Sequence, residues 1–210
     1  MEIFLVRHGE TEWSRARRHT GRSDLPLSPA GEAEARALGD HLLGLEVDRV
    51  LSSPLARATA TARLAGFGGR LELTDALLEF DYGEYEGLTS SQIRAARPGW
   101  DLFRDGCPGG ETVAAATERV RPLVEELVAA GGPSLLFGHG HQLRILAACF
   151  LGLPPEAARH LFLGTASVSV LGREHSWPAV LLWNEQQGSG AHAAEAGSLG
   201  WRGIPGAPRR

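Results

Sequence analysis

Ile3-Phe4-Leu5-Val6-Arg7-His8-Gly9 opens the chain with four consecutive apolar residues, then an arginine, a histidine and a glycine. A short apolar run with no polar position has no solvent face. It suits a strand buried on both sides, as in a parallel sheet covered by helices. Ser134-Leu135-Leu136-Phe137-Gly138-His139-Gly140-His141 repeats the pattern late in the chain. The elements between them alternate. Ser28-Pro29 reads as an N-cap followed by proline at the first helical position, starting a helix over 29–43 with Ala37, Leu38 and Leu42 on one face. Arg49-Val50-Leu51 reads as a second strand, Ser52-Ser53-Pro54 as the cap of a helix carrying Arg57, and Leu71-Glu72-Leu73 as a third strand. A short helix over 90–96 leads into a Gly- and Pro-rich loop, the composition of a functional lid. Helices follow over 111–130, with Pro122 as a kink, and over 142–151 and 155–161. Strands over 168–171 and 180–183 close the pattern. Strands alternating with helices define an α/β sandwich with a mostly parallel sheet. Gly, Ala, Ser and Pro dominate from Gln186 on, so residues 1–185 read as the domain and 186–210 as a tail, without order or pinned by Trp201.

Composition narrows the chemistry. The chain has 210 residues, 43% of them hydrophobic, enough for one globular domain and a buried core. Its formal net charge of −4 argues against a nucleic-acid partner, which needs a basic surface. All 21 basic residues are arginine, so Schiff-base chemistry and a P-loop lysine are excluded. Any anion site must use the planar guanidinium fork. Cys107 and Cys149 are too few for a disulfide framework, and neither begins a Cys-x5-Arg loop, because Val113 and Pro155 stand at the required places. No apolar run approaches the ~20 residues that span a membrane, and Met1 to Val6 is too short for a signal peptide's apolar region, so the default expectation is a cytoplasmic enzyme without a membrane partner.

His8 and His139 each follow a buried strand, and each is flanked by glycine. Ligands of open α/β sheets bind beyond the carboxyl ends of strands, so the two imidazoles can meet in one pocket. Arg7 and Arg57 would each offer a fork to an anion there, aided by helix N-termini. Phosphoryl transfer needs a nucleophile, charge on the equatorial oxygens and a proton for the leaving oxygen. A neutral His8 fits the first role; Arg7, Arg57 and a protonated His139 fit the second. Glu79, among apolar neighbours, is a candidate acid, although spacing alone does not choose it over Glu10, Glu12 or Glu84. That assignment implies an acidic pH optimum. His139-x-His141, adjacent but one and without a matched acidic cluster, does not read as a metal pair, and nothing else calls for a metal or an organic cofactor.

Val6-Arg7-His8-Gly9-Glu10-Thr11-Glu12-Trp13 resembles the Arg-His-Gly signature of the histidine phosphatase superfamily, in its phosphoglycerate mutase-like branch. The stretch from Leu51 to Ala62 resembles that family's second-arginine motif, the Glu79 segment its proton-donor motif, and Gly138-His139-Gly140 its second-histidine motif. The matches occur in the family's order across 3–183. The resemblance implies a three-layer α/β/α sandwich with a six-stranded, mostly parallel sheet. It also implies a phosphohistidine on His8, Glu79 as proton donor, and a phosphate pocket lined by Arg7, Arg57 and His139. Finer similarity to the sedoheptulose-1,7-bisphosphatase and small acid phosphatase subgroup implies substrate contacts from Thr20, Gly21, Tyr82, Gly140 and Arg144. Where the mutases carry asparagine after Trp13, this chain has Ser14, whose hydroxyl can still donate one hydrogen bond to phosphate but with a shorter reach, so the resemblance implies a substrate contact there too. The segment from Glu79 to His139 is shorter than in true mutases, which favours hydrolysis over transfer. The expected partner is a small phosphorylated metabolite, with homodimerisation through an edge strand by analogy. Phosphoglycerate mutase activity primed by 2,3-bisphosphoglycerate is the alternative, and a non-catalytic phosphate-binding module a third reading.

Overall fold

In the computed structural model, which describes residues 1–186, the first apolar run forms β1 (Ile3–Arg7). α1 (Glu12–Arg15), α2 (Pro29–His41), β2 (Arg49–Ser52), α3 (Ala56–Leu64) and β3 (Leu71–Leu73) follow. The chain continues through α4 (Ser90–Ala96), α5 (Leu102–Asp105), α6 (Val113–Ala130), β4 (Ser134–Gly138), α7 (Gly140–Phe150), β5 (Ser167–Glu174) and β6 (Trp177–Gln186). One six-stranded sheet results, in the order β3-β2-β4-β1-β5-β6. β1, β2, β3 and β4 run parallel; β5 is antiparallel to β1, and β6 antiparallel to β5. The mostly parallel sheet expected from the alternating pattern is therefore present, with an antiparallel pair at one edge. Apart from Gln186, which ends β6, the expected tail and Trp201 lie outside the described residues.

The pleat explains the unbroken apolar run of β1. Ile3 and Leu5 face one core, which they share with Val120 and Leu127 of α6 and Leu143 and Leu146 of α7. Phe4 and Val6 face the other, against Leu38 of α2, the following Leu42, and Ala62 of α3. Burying each such side chain is worth roughly 1.5–3 kcal/mol, so neither face of the strand accommodates a polar residue cheaply. The two cores are the interfaces of a three-layer α/β/α sandwich.

Local structure departs from the sequence reading at several ends. Ser53 does not cap α3: the N-cap is Leu55, with no side-chain cap bond, and the Ala56 amide donates to Asp24 Oδ1 at 2.7 Å instead. α6 starts at Val113 with Thr112 as cap, which leaves Glu111 outside the helix. It continues through Pro122, whose ring removes one ladder bond. Residues Pro155–His160 form a 3-10 helix rather than an α-helix. The expected lid loop contains α5, and its aromatic residues Trp100 and Phe103 are buried in the core beside α6 and α7.

Candidate active site

β1 and β4 are neighbours in register, Arg7 opposite Gly138, so the residues that follow them emerge side by side. The His8 amide donates to the Gly138 carbonyl at 3.0 Å. The His8 and His139 rings meet edge to face with centroids 5.1 Å apart. Both imidazoles are buried, at 4% and 0% exposure. Ser53, at the end of β2, continues the row; its amide donates to Phe137 O at 2.9 Å.

Hydrogen bonding fixes the tautomers. His8 Nδ1 lies 2.7 Å from the Gly9 carbonyl, which only accepts, so Nδ1 carries the proton and Nε2 the lone pair. His139 Nδ1 accepts from Arg57 Nε at 3.1 Å, and an arginine Nε only donates. His139 is therefore neutral, with its Nε2–H directed at Ser53 Oγ at 2.7 Å. The expectation of a charged His139 is corrected by this contact: a proton on Nδ1 would oppose the Arg57 N–H. Burial and the neighbouring guanidinium groups hold both imidazoles well below the ordinary histidine range.

The two arginines divide their work. Arg7 donates through Nη1 to Leu163 O at 2.5 Å, while its fully buried Nε has no partner among the described residues. An orphaned buried donor is costly, and an anion beside His8 would relieve it. Arg57 differs from the expected open fork. Besides its bond to His139, it donates to the carbonyls of Ser23 at 2.8 Å and of Thr20 and Gly21 at 3.0 Å. Among the described residues four of its five N–H groups are engaged, which leaves one for an anion.

Glu79 is caught by the start of α7. Oε1 accepts from the amides of Gln142 at 2.9 Å and Phe80 at 2.9 Å; among the described residues Oε2 accepts only from the His141 amide, at 3.2 Å. Oε2 is thus the oxygen with room for a proton. These contacts place Glu79 against the residues directly after His139.

The remaining expected residues have stated places. Gly140 opens α7, and a Cβ added there would lie 3.3 Å from Arg7 Cζ. Thr20 and Gly21 turn carbonyls, not side chains, toward Arg57. Ser14 is engaged in the capping box of α1, donating to Thr11 O at 3.0 Å and accepting from Thr11 N at 2.9 Å. Tyr82 is buried, with its hydroxyl hydrogen-bonded to His141 Nδ1 at 2.6 Å. Arg144 donates to the carbonyls of Ala158 and Arg159, both at 2.9 Å, and lies over the Phe103 ring at 4.7 Å. Burial brings its guanidinium down to about 10. The sequence reading missed four supports: Ser53 on His139; Thr61 Oγ1, which accepts from Gly9 N at 3.1 Å; Glu86, which accepts from the amides of Gly21 and Ser23; and Arg119. Thr61 lies one turn beyond Arg57, the spacing that would have marked it.

His141 is likewise held neutral, mainly by burial. The sign of the resulting pH dependence is fixed. The unfolded chain takes up protons near pH 6.5 that the folded chain refuses, so stability is complete above that value and falls below it. Each histidine forced to charge costs about 1.4 kcal/mol per pH unit. Urea midpoints measured from pH 7.5 down to 5.5 should fall; a flat or rising midpoint would refute the neutral cluster.

Paired imidazoles and guanidinium groups at the carboxyl ends of parallel strands define a phosphate-handling enzyme. Residues 3–186 match the model of the histidine phosphatase superfamily (branch 1), and the chain belongs to that superfamily. It is 40% identical over 177 residues to an acid phosphatase of Mycobacterium tuberculosis (strain ATCC 25618 / H37Rv), covering 82% of this chain and 87% of the relative. It is 33% identical over 190 residues to the "Probable phosphoglycerate mutase GpmB" of Salmonella choleraesuis (strain SC-B67), covering 85% and 88%. The solved structure of a mycobacterial glucosyl-3-phosphoglycerate phosphatase with VO3 superposes with a TM-score of 0.80 at 31% identity, over 88% of this chain and 99% of that one. Among the described residues, no helix is long and apolar enough to cross a membrane.

Proposed function

We propose that this enzyme hydrolyses small phosphate monoesters, sugar phosphates or similar metabolites, through a phosphohistidine on His8. The observation that carries the proposal is the His8 tautomer: with Nδ1–H held by Gly9 O, the lone pair of Nε2 is free for attack. In the first step Nε2 bonds to phosphorus and the ester P–O bond breaks. Glu79 gives its proton to the leaving alcohol oxygen. In the second step the Glu79 carboxylate takes a proton from water as that oxygen attacks phosphorus. The P–N bond then breaks, inorganic phosphate leaves, and the His8 lone pair returns. The buried donors of Arg7, with the one unengaged N–H of Arg57, supply positive charge to the equatorial oxygens in both steps. His139 joins them if its Nε2–H exchanges Ser53 for a phosphate oxygen. A His8 held neutral well into acid keeps the nucleophile competent at low pH, while the donor role of Glu79 favours low pH. The two together give the acidic optimum.

The acid phosphatase relative and the glucosyl-3-phosphoglycerate phosphatase among the solved neighbours support hydrolysis. The mutase relative favours a second reading, transfer between the hydroxyls of a phosphoglycerate. Purified protein should release inorganic phosphate from an aryl phosphate and from members of a sugar-phosphate panel. Isomerisation of 3-phosphoglycerate that requires 2,3-bisphosphoglycerate, with no phosphate release, would establish the second reading instead. Binding without turnover across the panel would leave only a phosphate-binding module.

A further inference from the structure

We infer that Arg119 of α6 is a positioning residue for Glu79, fixing the segment that presents the proton-donor carboxylate. The inference rests on the reading of Glu79 as the acid. Segment 75–81 carries little regular structure: one 3-10 turn, Asp75–Leu77, then a bend and irregular chain. Its carbonyls need donors, and one guanidinium reaches four of them. Arg119 Nη1 donates to the carbonyls of Asp75 at 3.1 Å, Ala76 at 3.1 Å and Leu78 at 2.9 Å. Nη2 reaches the carbonyl of Glu79 itself at 3.4 Å and Gln142 Oε1 at 3.0 Å.

The guanidinium is in turn anchored. Glu111 grips it with both oxygens, Nε to Oε1 at 2.8 Å and Nη2 to Oε2 at 2.9 Å. Glu111 Oε2 also accepts from the Asp81 amide at 3.0 Å, just past the donor. Gln142 closes the frame: its amide donates to Glu79 Oε1 and its side-chain Nε2 to Ala76 O at 3.1 Å. The carboxylate is held by α7 and its backbone by Arg119, and both holds meet at Gln142. Only a planar fork of five donors can span these acceptors; a lysine ammonium offers three donors from one point. Arg119 touches no reacting atom. Its effect is on where the proton sits, and a shift of about 1 Å in a positioned group costs on the order of 10²-fold in rate.

A misplaced acid has a kinetic signature that general loosening of the fold lacks. Alkyl leaving groups need the proton, whereas a dinitrophenolate leaves without it. The test compares kcat/KM for an alkyl phosphate and for 2,4-dinitrophenyl phosphate in wild type, Arg119→Lys, Glu79→Gln and the double variant, with thermal unfolding as a fold check. Arg119→Lys should lose roughly 10–100-fold on the alkyl ester and less than about threefold on the dinitrophenyl ester. In the Glu79→Gln background the same change should cost little more, since the acid it positions is gone. Equal losses on both esters, or an undiminished loss in the Glu79→Gln background, would overturn the inference while leaving the role of Glu79 intact. A Glu79→Gln variant with no leaving-group dependence would sink both. Should Arg119→Lys fail to fold, Glu111→Gln preserves the side-chain shape and removes half of the anchor. It should show the same leaving-group dependence at smaller amplitude, and equal effects on both esters would again overturn the inference.

Discussion

His8→Ala is expected to lower kcat/KM by about 10⁴-fold or more, because removing a nucleophile leaves only binding and charge stabilisation to assist water. The fold should survive. The backbone bond from residue 8 to Gly138 O does not use the side chain, and among the described residues the imidazole makes one hydrogen bond, to Gly9 O. Its loss changes stability by roughly 0.5–1.5 kcal/mol. Arg7, Arg57 and His139 remain, so the variant should still bind inorganic phosphate. Steady-state rates with an aryl phosphate, paired with phosphate binding by calorimetry, separate the two properties. Turnover near the wild-type rate would remove His8 from the chemistry; loss of both turnover and phosphate binding would assign it to the pocket alone.

Arg57→Met is expected to damage rate and stability together. The guanidinium is fully buried and ties α3 to His139 and to the loop that carries Thr20, Gly21 and Ser23. Removing it leaves three carbonyls and an imidazole nitrogen without their donor, each at about 1–3 kcal/mol if water cannot replace it. A net loss of about 3–5 kcal/mol is the expectation, in line with removing one member of a buried charged network. The rate should fall about 10³-fold, the usual cost of one preorganised donor plus disorder of His139. Urea titration and kcat/KM on the same preparation measure both. A variant with wild-type stability would mean that the loop does not depend on Arg57; wild-type kcat/KM would mean that phosphate does not.

Much of this arrangement was legible in the sequence, for identifiable reasons. β1 and β4 could be read because residues 3–6 and 135–137 are uninterrupted apolar runs, as a strand buried on both faces requires. The placement of His8 and His139 followed, since parallel strands bring their carboxyl ends to one edge. The start of α2 was legible because Ser28 and Pro29 act within the first turn. What escaped depends on partners remote in the chain. α3 takes its cap bond from Asp24, a contact with no local trace. The extent to which Arg57 is already engaged is set by carbonyls of the 20–23 loop, and a carbonyl is invisible in a residue code. Arg119 escaped for the same reason: as one of 21 arginines it has nothing local to mark it, and four of its acceptors are backbone oxygens. His139 was expected to carry charge, a sensible reading for an anion pocket. Burial beside two guanidinium groups makes the neutral form the favoured one.

The most direct measurement mixes enzyme with an activated aryl phosphate, quenches in alkali within milliseconds and maps the protein-bound phosphoryl group by mass spectrometry. A near-stoichiometric label on the ring of His8, acid-labile and absent from His8→Ala, is the predicted result. A pre-steady-state burst with no label on the protein, or a label on any other side chain, would contradict the mechanism.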